Sequence, residues 1–574
     1  MGDNKPFLKD NYIFLIIFLL ALFTYIAQFI FRAFDDNRLT SWQYAFQNAD
    51  TSDAAIIFII LMAGIILAFF ISRTPFSVRS HQMFLFLTAF ISSAFFWTEP
   101  EVIVDASRYF TQAKHLELYG VKYFVSEWGK DINAWTDMPL VPFLYGLVFR
   151  IFGETRICIQ IFNTTLFSLT AVLTFELGKT LWDEETGFFA GVFLIGMPYL
   201  LTQVPLMLVD VPTMFFLMLA VVTFIRAIPE GTAFKIVIAS VSVALAFYTK
   251  YSMWLMYSVL LIAMLVYVIN SSGGKTKRVE IFLRSLSIAL MAAIFIGVVF
   301  LYKYDVFRDQ MKLLIDYQKP GLGRWQETFV STFFFQIHPF VTLAALYSAY
   351  AAIRKKDLMY AVIAWLILLV VFMQIKRIRY IIVVFPMLAL MASYGIREIG
   401  RKDIKKFFAF SVFFSSLIVG FFVYLPFLQG ISIVNLKDAG TFVNSLDESN
   451  IEVFTLMPED PVMNPAVSVP ILDLFTRKNI IYNYNRESFL QPKEIVEKSP
   501  LRFTWEYKNP VYYNTDNNGN KDGAVVVISE NPQDVLPGDI RQRVAGYRLS
   551  AVFKISDDIF IYRPCVRVYQ KAKL

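Results

Sequence analysis

Three carboxylates stand at the edges of apolar segments of this sequence. Asp105 begins an amphipathic stretch, Asp137 precedes a proline-rich apolar piece, and Asp210 lies between two apolar runs in "PLMLVDVPTM". Each has an ordinary explanation, namely a helix cap for Asp105 and Asp210 and turn chemistry for Asp137. However, an ionisable group at a membrane boundary is costly and is functional by default. Brought together, such carboxylates could take a proton from an attacking hydroxyl group.

Basic residues are expected at the same level of the membrane as these acids. Lys250 ends an apolar run in "LAFYTKYSMW", while Lys376, Arg377 and Arg379 form the short basic loop "QIKRIRY". Snorkelling of long side chains would explain some of them. Together they suit an anionic head group, because Arg binds phosphate oxygens through two hydrogen bonds and lipid phosphates lie at this depth. Acids and bases at one level indicate transfer chemistry on a phospholipid-like donor.

The composition shows which class of protein positions these residues. The chain has 574 residues, of which 57% are hydrophobic, with 59 Phe and 29 Tyr. This composition predicts a polytopic membrane protein. The net charge of +7 is expected in cytoplasmic loops, so no nucleic-acid partner is indicated. The two cysteines, Cys158 and Cys565, indicate neither a disulfide framework nor a thiolate metal site.

About thirteen apolar segments have the length and hydropathy of membrane spans. They lie near 12–32, 54–72, 82–98, 157–177, 187–204, 211–226, 234–249, 253–270, 281–301, 328–352, 358–374, 380–396 and 407–428. The piece from Pro139 to Gly153 is short for a crossing and is expected to lie at the interface. The stretch that starts at Asp105 is predicted to be a short amphipathic helix at the outer interface, which Gly120 ends.

The basic loops orient the chain. If Pro139–Gly153 does not cross, "SRTPFSVRS", "GGKTKR", "RKK" and "REIGRKDIKK" all fall on the side of the N-terminus. The positive-inside rule then places the N-terminus in the cytoplasm of a multi-pass protein of the cell membrane. The outer face carries loops 99–156, 205–210 and 302–327, and "QIKRIRY" is its basic exception.

The tail predicts a second, soluble domain outside the membrane. Buried-strand runs "IEVFTLMP", "NIIYNYN" and "GAVVVISENP" are accompanied by a helical segment, "NPAVSVPILDLFTRK", and by a predicted hairpin over "RLSAVFKISDDIFIYR". The sequence therefore predicts a mainly α membrane domain over 1–429, with a first catalytic outer loop at 99–156, and an extracytoplasmic α/β domain over 430–574.

The order of several short motifs resembles the GT-C superfamily of integral membrane glycosyltransferases. The motifs are "D-x-x-R-Y" from Asp105, an acid before a "P-L-x-P-F" helix that ends in "FGETR", then "VDVP", "TK" and, from Arg379, "R-Y-x-x-x-x-x-P". Within that superfamily the sequence is most similar to the branch of the protein O-mannosyltransferases and the lipid A aminoarabinose transferases. The resemblance covers roughly residues 80–400.

The resemblance implies an enzyme that moves a sugar from a polyprenyl-phosphate carrier, dolichyl or undecaprenyl, to a hydroxyl acceptor on a protein, lipid or glycan. It implies inverting transfer on the outer face. Asp105 would be the general base and Asp210 would assist it or orient the acceptor. Lys250, Arg377 and Arg379 would hold the donor phosphate. Further partners would be the membrane lipids.

The resemblance also suggests a divalent metal cation. Asp137 stands where relatives have an acid before the proline-rich helix, and His338 falls near a metal-ligand histidine of the aminoarabinose branch. Two positions depart from the family pattern. Ala106 stands where many members carry a second acid, and Met138 replaces a basic residue that some members have. A lone histidine in an aromatic run is, alternatively, a structural residue.

Two interpretations that assign the protein to other functional classes stay open at this point. A secondary transporter of a small or lipid-linked solute would also have a dozen spans, but it predicts inverted repeats and ionisable residues near the midplane of the bilayer. A membrane scaffold that displays the tail domain would need no site at all. Binding of a polyprenyl phosphate to the purified protein would favour the enzyme over both.

Overall fold

A computed structural model describes residues 5–37, 40–47, 51–74, 80–271, 273–321, 327–459, 461–482, 484, 491–514 and 523–571. Up to Gln429 the described chain is helical. The first ten helices are α1 (Lys5–Ile30), α2 (Trp42–Ala45), α3 (Thr51–Arg73), α4 (His81–Ala94), α5 (Ile103–Glu127), α6 (Leu140–Phe152), α7 (Arg156–Leu181), α8 (Glu184–Ile195), α9 (Pro198–Gln203) and α10 (Asp210–Glu230). The next are α11 (Ala233–Phe247), α12 (Met253–Met256), α13 (Ser258–Asn270), α14 (Gly274–Tyr302), α15 (Tyr304–Leu313), α16 (Lys319–Gly321), α17 (Pro339–Lys355), α18 (Tyr360–Phe372), α19 (Ile378–Ile381), α20 (Phe385–Ile396), α21 (Lys402–Val419) and α22 (Leu425–Gln429).

The helices follow the predicted spans, and the predicted fold class is confirmed. Within the described residues, eight helices are long and apolar enough to cross a membrane. Each remaining predicted span contains helix in shorter pieces. The span predicted over 187–204, for example, is divided into α8 and α9 around Gly196, with Pro198 opening α9. The short piece that was expected not to cross is the 13-residue helix α6.

Helix α5 consists of two helical parts that meet at Gly120. It runs from Ile103 to Glu127, and Gly120, with a φ of +85° and a ψ of 174°, ends the first part as predicted, whereas the second part beyond it was not predicted. A left-handed φ suits glycine, and a Cβ here would lie 2.8 Å from a guanidinium nitrogen of Arg150. Helix α6 then packs on α5 at Gly146, where a Cβ would lie 2.6 Å from that of Leu116. The short amphipathic helix of the prediction is therefore the first part of a bent, closely packed one.

The tail is an α/β unit, as predicted, and contains a five-stranded sheet. Its helices are α23 (Val434–Asn444), α24 (Val469–Leu474), α25 (Lys493–Lys498), α26 (Arg502–Trp505) and α27 (Gly538–Arg543). Its strands are β1 (Asn450–Thr455), β2 (Asn479–Ile481), β3 (Ala524–Ser529), β4 (Tyr547–Phe553) and β5 (Cys565–Lys571), in the order β2-β1-β3-β5-β4. Strands β2, β1 and β3 are parallel, whereas β5 runs antiparallel to both β3 and β4.

The predicted hairpin is wrong in its second arm. Strand β4 pairs with β5, which begins at Cys565, and not with the segment "DDIFIYR". Asp557 accepts hydrogen bonds from the backbone N–H groups of Ile559 and Phe560, at 2.9 and 2.8 Å. These bonds form an Asx-type turn, so this segment turns where a strand was expected.

Helix α5 and the sheet share one apolar core. Phe110 and Ala113 of α5 belong to the same buried cluster as Leu472 of α24 and Val526 of β3. Alternate residues of β3, such as Val527, face a second cluster beneath α27. With both faces covered, β3 is a continuous apolar run. The division into domains at residue 430 stays a prediction, but the two parts pack closely along α5.

Candidate active site

Asp105, Asp210 and Arg379 meet in one ion-pair network. Asp105 lies in the first turn of α5, Asp210 opens α10, and Arg379 lies in α19. Arg379 donates from Nε to Asp210 Oδ2 at 2.7 Å and from Nη1 to Asp105 Oδ2. Neither helix has a side-chain cap at its first turn, so the capping explanation is wrong for both acids. Three sequence-predicted residues from distant parts of the chain thus form one site.

Lys250 completes the far side of this network. The residue follows α11, and its Nζ donates to Asp210 Oδ1 at 2.6 Å. The same ammonium group lies 5.4 Å from the centre of the Tyr380 ring. Both carboxylate oxygens of Asp210 are therefore engaged by cations, one by Lys250 and one by Arg379. This pairing offsets the cost of burying a carboxylate that is only 1% exposed.

Arg108 joins Asp137 to the same network. One Arg108 nitrogen, Nη2, lies 3.1 Å from Asp105 Oδ1 and 3.1 Å from Asp137 Oδ1. Gln112 donates from Nε2 to Asp137 Oδ2 at 3.1 Å. Asp105, Arg108 and Gln112 are three and four residues apart along α5, so they lie on one face of that helix. The result is a network in which three carboxylates face three cations.

The two acids on either side of Arg108 differ in their electrostatics. Burial opposes ionisation of Asp105, but the Arg379 and Arg108 guanidinium groups outweigh it and hold the pKa of Asp105 well below its usual range. Burial raises the pKa of Asp137, and Arg108 only partly offsets this rise. Neighbouring carboxylates with pKa values moved apart are typical of sites that handle protons.

Arg377 lies beside the network and has its own acidic partner. Its Nε is 3.6 Å from Glu327 Oε1, and its Nη1 donates to Tyr380 Oη at 3.2 Å. Its positive charge nevertheless contributes to the lowered pKa of Asp105. The structure therefore places Arg377 at the edge of the site that Lys250 and Arg379 occupy directly.

His338 lies in a different environment from the acids. It caps helix α17, where its Nδ1 accepts a hydrogen bond from the Phe340 N–H at 3.1 Å. Its Nε2 lies 2.7 Å from Tyr25 Oη and 3.2 Å from Ser415 Oγ. An Nδ1 that accepts a bond leaves the proton of a neutral ring on Nε2, so neither nitrogen offers a lone pair. The structural explanation for His338 agrees with this geometry.

The residues proposed to bind a metal do not fit that role. Asp137 and His338 have no partner in common, and both carboxylate oxygens of Asp137 are held by Arg108 and Gln112. Within the described ranges, no group of three or more His, Cys, Asp or Glu side chains could hold a metal ion. Asp137 and His338, as the structure describes them, therefore do not fit a shared metal site, and no step of the chemistry is derived through a metal.

Sequence reasoning missed a buried ion pair that supports the site. Arg156, in the motif "FGETR", donates from Nε to Glu101 Oε1 at 2.8 Å and from Nη1 to the Trp97 carbonyl oxygen at 3.0 Å. Glu101 Oε2 also accepts from the Met207 N–H at 3.0 Å. The pair thus ties the segment before α5 to the loop before α10, and those two helices carry Asp105 and Asp210.

Sequence reasoning also missed the roles of Arg108 and Gln112. The available signal was their spacing from Asp105, since positions i, i+3 and i+7 of a helix share a face. In an amphipathic helix at the interface, Arg108, Gln112 and His115 would lie on the polar side, but all three are buried. They are buried because the α/β unit and the Asp137 segment cover that side of α5.

Comparison with known proteins agrees with this architecture. Residues 136–306 match the family model described as dolichyl-phosphate-mannose-protein mannosyltransferase. No curated protein shows significant sequence similarity to the chain. Among solved structures, ArnT from Cupriavidus metallidurans bound to undecaprenyl phosphate is 12% identical, with a TM-score of 0.51, over 85% of this chain and 97% of ArnT. The chain has the GT-C fold.

Two further solved structures belong to the same group of matches. The apo state of that ArnT gives a TM-score of 0.50 at 13% identity, over 84% of this chain and 96% of ArnT. The archaeal oligosaccharyltransferase AglB from Archaeoglobus fulgidus, in complex with an inhibitory peptide and a dolichol-phosphate, is 12% identical over 86% of this chain and 74% of AglB. Its TM-score of 0.46 is too low to support a conclusion. The resemblance to GT-C glycosyltransferases noted in the sequence is confirmed, and the chain is a multi-pass membrane protein.

Proposed function

We propose that this GT-C protein is an integral membrane glycosyltransferase that moves a sugar from a polyprenyl-phosphate carrier to a hydroxyl acceptor. The observation that carries the proposal is the network in which Arg379 bridges Asp105 and Asp210 while Lys250 holds the other oxygen of Asp210. It combines a carboxylate able to accept a proton with cations able to hold a phosphate. The family match over residues 136–306 supports the same reaction class.

The reaction assigns a role to each charge. The acceptor hydroxyl is a poor nucleophile, so Asp105 takes its proton as the oxygen attacks the anomeric carbon of the sugar. The bond between that carbon and the phosphate oxygen breaks, and the lipid phosphate leaves with the electron pair. Its charge increases as it leaves, and Lys250 and Arg379 stabilise it. One base and no covalent intermediate correspond to inversion at the anomeric carbon.

The self-paired network implies that the donor binds before the acceptor. Asp105 with two guanidinium partners is ionised, but it is a weak base because its pKa lies well below the usual range. A donor phosphate that binds Arg379 competes with Asp105 for the same cation. The pKa of Asp105 then rises, since an opposite charge beside it is shared with the ligand. Donor binding would in this way convert a structural ion pair into a working base.

The position of the site determines which face of the membrane it serves. Asp105, Asp137, Asp210, Lys250 and Arg379 gather on the side of the bundle that contacts the α/β unit. The distribution of basic loops favours a cytoplasmic N-terminus, which puts both the site and the α/β unit outside. Donor lipid would then be drawn from the outer leaflet.

Transfer of labelled sugar in membranes tests the proposal. Wild type, Asp105→Asn and a control, Asp131→Asn, are expressed at matched levels and supplied with a panel of radiolabelled polyprenyl-phosphate sugars. Asp131 is an exposed carboxylate of the same outer loop. We expect label to leave the lipid fraction with wild type and the control, and transfer by Asp105→Asn to fall about 100-fold or more, because a general base contributes roughly 10²–10⁴ in rate.

Either of two results would contradict the proposal. Full transfer by Asp105→Asn would show that Asp105 is not the general base. Label that crosses the membrane while still attached to its lipid would indicate a transporter instead.

A further inference from the structure

A side chain of the α/β unit contacts the charged network. Phe503 lies in the short helix α26 and is only 8% exposed. The centre of its ring is 4.9 Å from Cζ of Arg108, which is the distance of a cation–π contact. Arg108 is the residue that stands between Asp105 and Asp137. A residue from the far end of the sequence therefore covers the cation that links the two acids.

The polar contacts of Arg108 involve one end of its guanidinium. Its ion pairs to Asp105 and Asp137 both use the same nitrogen, Nη2, at 3.1 Å. Its Nε is buried and has no hydrogen-bond partner among the described residues. The same Nη2 also donates to Tyr109 Oη at 3.3 Å, so these polar contacts all hold one end of the guanidinium. The ring of Phe503 contacts the guanidinium more closely than the ring of Tyr109 does, with centres 4.9 and 5.4 Å from Cζ, and a planar guanidinium stacks on an aromatic ring.

Phe503 also packs on the segment that carries Asp137. Its ring centre is 5.8 Å from that of Trp135, whose ring centre also lies 5.9 Å from that of Tyr317. Trp135 has a φ of +47°, a strained left-handed conformation for a bulky residue. Strain of this kind persists only where surrounding structure enforces it, and it is concentrated at functional sites. Here Phe503 and Tyr317 enclose the strained residue.

Several hydrogen bonds fix the helix that carries Phe503. Tyr317 Oη, from the outer loop, donates to the Ser499 carbonyl oxygen at 2.7 Å just before this helix. Thr504 Oγ1, next to Phe503, accepts from the Asn464 N–H at 3.2 Å. The ring of Phe503 is therefore held from both the membrane part and the α/β unit, as a positioning group requires.

We propose that Phe503 is a positioning residue of the glycosyl-transfer site, through which the α/β unit sets Arg108 between Asp105 and Asp137. This inference rests on the proposed function. It gives the α/β unit a part in the chemical step, whereas a separate acceptor-binding module would alter only acceptor affinity. Removal of the ring should therefore change kcat and its pH dependence before it changes the KM for the donor.

The test compares Phe503→Leu with the conservative Phe503→Tyr and with Val511→Ala, a control at an exposed position of the same unit. The purified full-length variants are assayed for kcat, donor KM and the pH profile of kcat, after thermal melting has shown that they are folded. We expect Phe503→Leu to lower kcat about tenfold at unchanged donor KM, within the range of a lost desolvated cation–π contact. The acidic limb of its profile should move to higher pH by about half a unit, because a loosened Arg108 stabilises both carboxylates less. Phe503→Tyr, which keeps the ring, should show the acidic limb of the pH profile at the same pH as wild type.

Three outcomes would overturn the inference. Phe503→Leu with the kcat and pH profile of wild type would show that the ring positions nothing. Equal losses in Phe503→Leu and Phe503→Tyr, together with lowered melting temperatures, would show a role in folding alone. Absence of transfer from wild type would instead refute the proposed function and this inference with it, so the two failures are distinguishable.

Discussion

The acids of the site share their cations. Arg108 serves Asp105 and Asp137, and Arg379 serves Asp105 and Asp210, so Asp105 is the acid with two guanidinium partners. Buried ion pairs of this kind are weak evidence for stability, because desolvation can exceed the Coulombic gain. We propose that these pairs serve a ligand that exchanges with one partner. A phosphate is such a ligand for the fork of Arg379.

The role of His338 can be tested by substitution. His338→Ala removes the cap of α17 and the bonds to Tyr25 and Ser415, so we expect a loss of stability of about 1–3 kcal/mol. His338→Asn should recover part of this loss, since asparagine is a good N-cap residue. Because His338 lies outside the network, transfer by folded His338→Ala should stay within about threefold of wild type. Thermal melting and transfer assays of both variants measure this. Loss of transfer at an unchanged melting temperature would instead give His338 a part in the chemistry.

At the scale of elements, helix α5 organises the site. It carries Asp105, Arg108 and Gln112 on one face, and further along it Lys114 contacts the α/β unit. Lys114 Nζ donates to Asp473 Oδ2 of α24 at 2.6 Å and to Glu154 Oε1 at 2.9 Å, and Tyr513 Oη donates to Asp473 at 2.6 Å. The cluster of Lys114, Glu154, Asp473 and Tyr513 fastens the α/β unit to the helix that carries the acids.

This cluster predicts a pH dependence of stability. Burial, together with the charge of Asp473, raises the pKa of Glu154 to about 9, and Lys114 only partly offsets the rise. A carboxyl whose folded pKa is raised stabilises the fold fully below its unfolded value, which is near 4.5. That contribution is lost as the pH rises through the folded value, since the unfolded chain releases the proton more readily. The melting temperature of wild type in detergent should therefore fall as the pH rises from 6 to 9.

A neutral side chain at residue 154 should remove this effect. Glu154→Gln is expected to melt with a weaker dependence on pH than wild type over the same window. The exposed Glu494→Gln serves as the control and should follow wild type. If Glu154→Gln and wild type lose stability in parallel, the proton on Glu154 does not fasten the two parts.

The sequence predicted these elements unevenly. Hydropathy located the helices. The positions of charged residues at the ends of the apolar spans indicated that Asp105, Asp210, Lys250 and Arg379 lie at one level, because a bilayer imposes its thickness on every span. The end of the first part of α5 at Gly120 was predicted, but the second helical part beyond Gly120 was not, since a left-handed glycine commonly ends a helix. The metal pairing of Asp137 and His338 came from resemblance alone. Phe503 left no signal, because its contact with Arg108 joins residues nearly four hundred positions apart.

At the scale of the whole molecule, the two parts of the chain act together. The core that contains Phe110 of α5 also contains Val526 of the sheet, and Phe503 lies over Arg108. The α/β unit therefore packs on the outer loop 99–156, which carries the candidate site, and does not stand apart from it. Since ArnT spans nearly the same length, with 97% of its chain covered, this arrangement of helical bundle and tail accords with the fold of that structure.

The central claim is that a lipid phosphate exchanges with Asp105 for the cation of Arg379. Its most direct test is the affinity of the purified protein for undecaprenyl phosphate in detergent, measured for wild type, Asp105→Asn, Arg379→Gln and the exposed control Arg308→Gln. We expect Arg379→Gln to bind about tenfold more weakly and the control to match wild type. Asp105→Asn should bind about threefold more tightly although its transfer is about 100-fold slower or more, because the competing carboxylate is gone. Wild-type affinity in Arg379→Gln, or weaker binding by a folded Asp105→Asn, would contradict the claim.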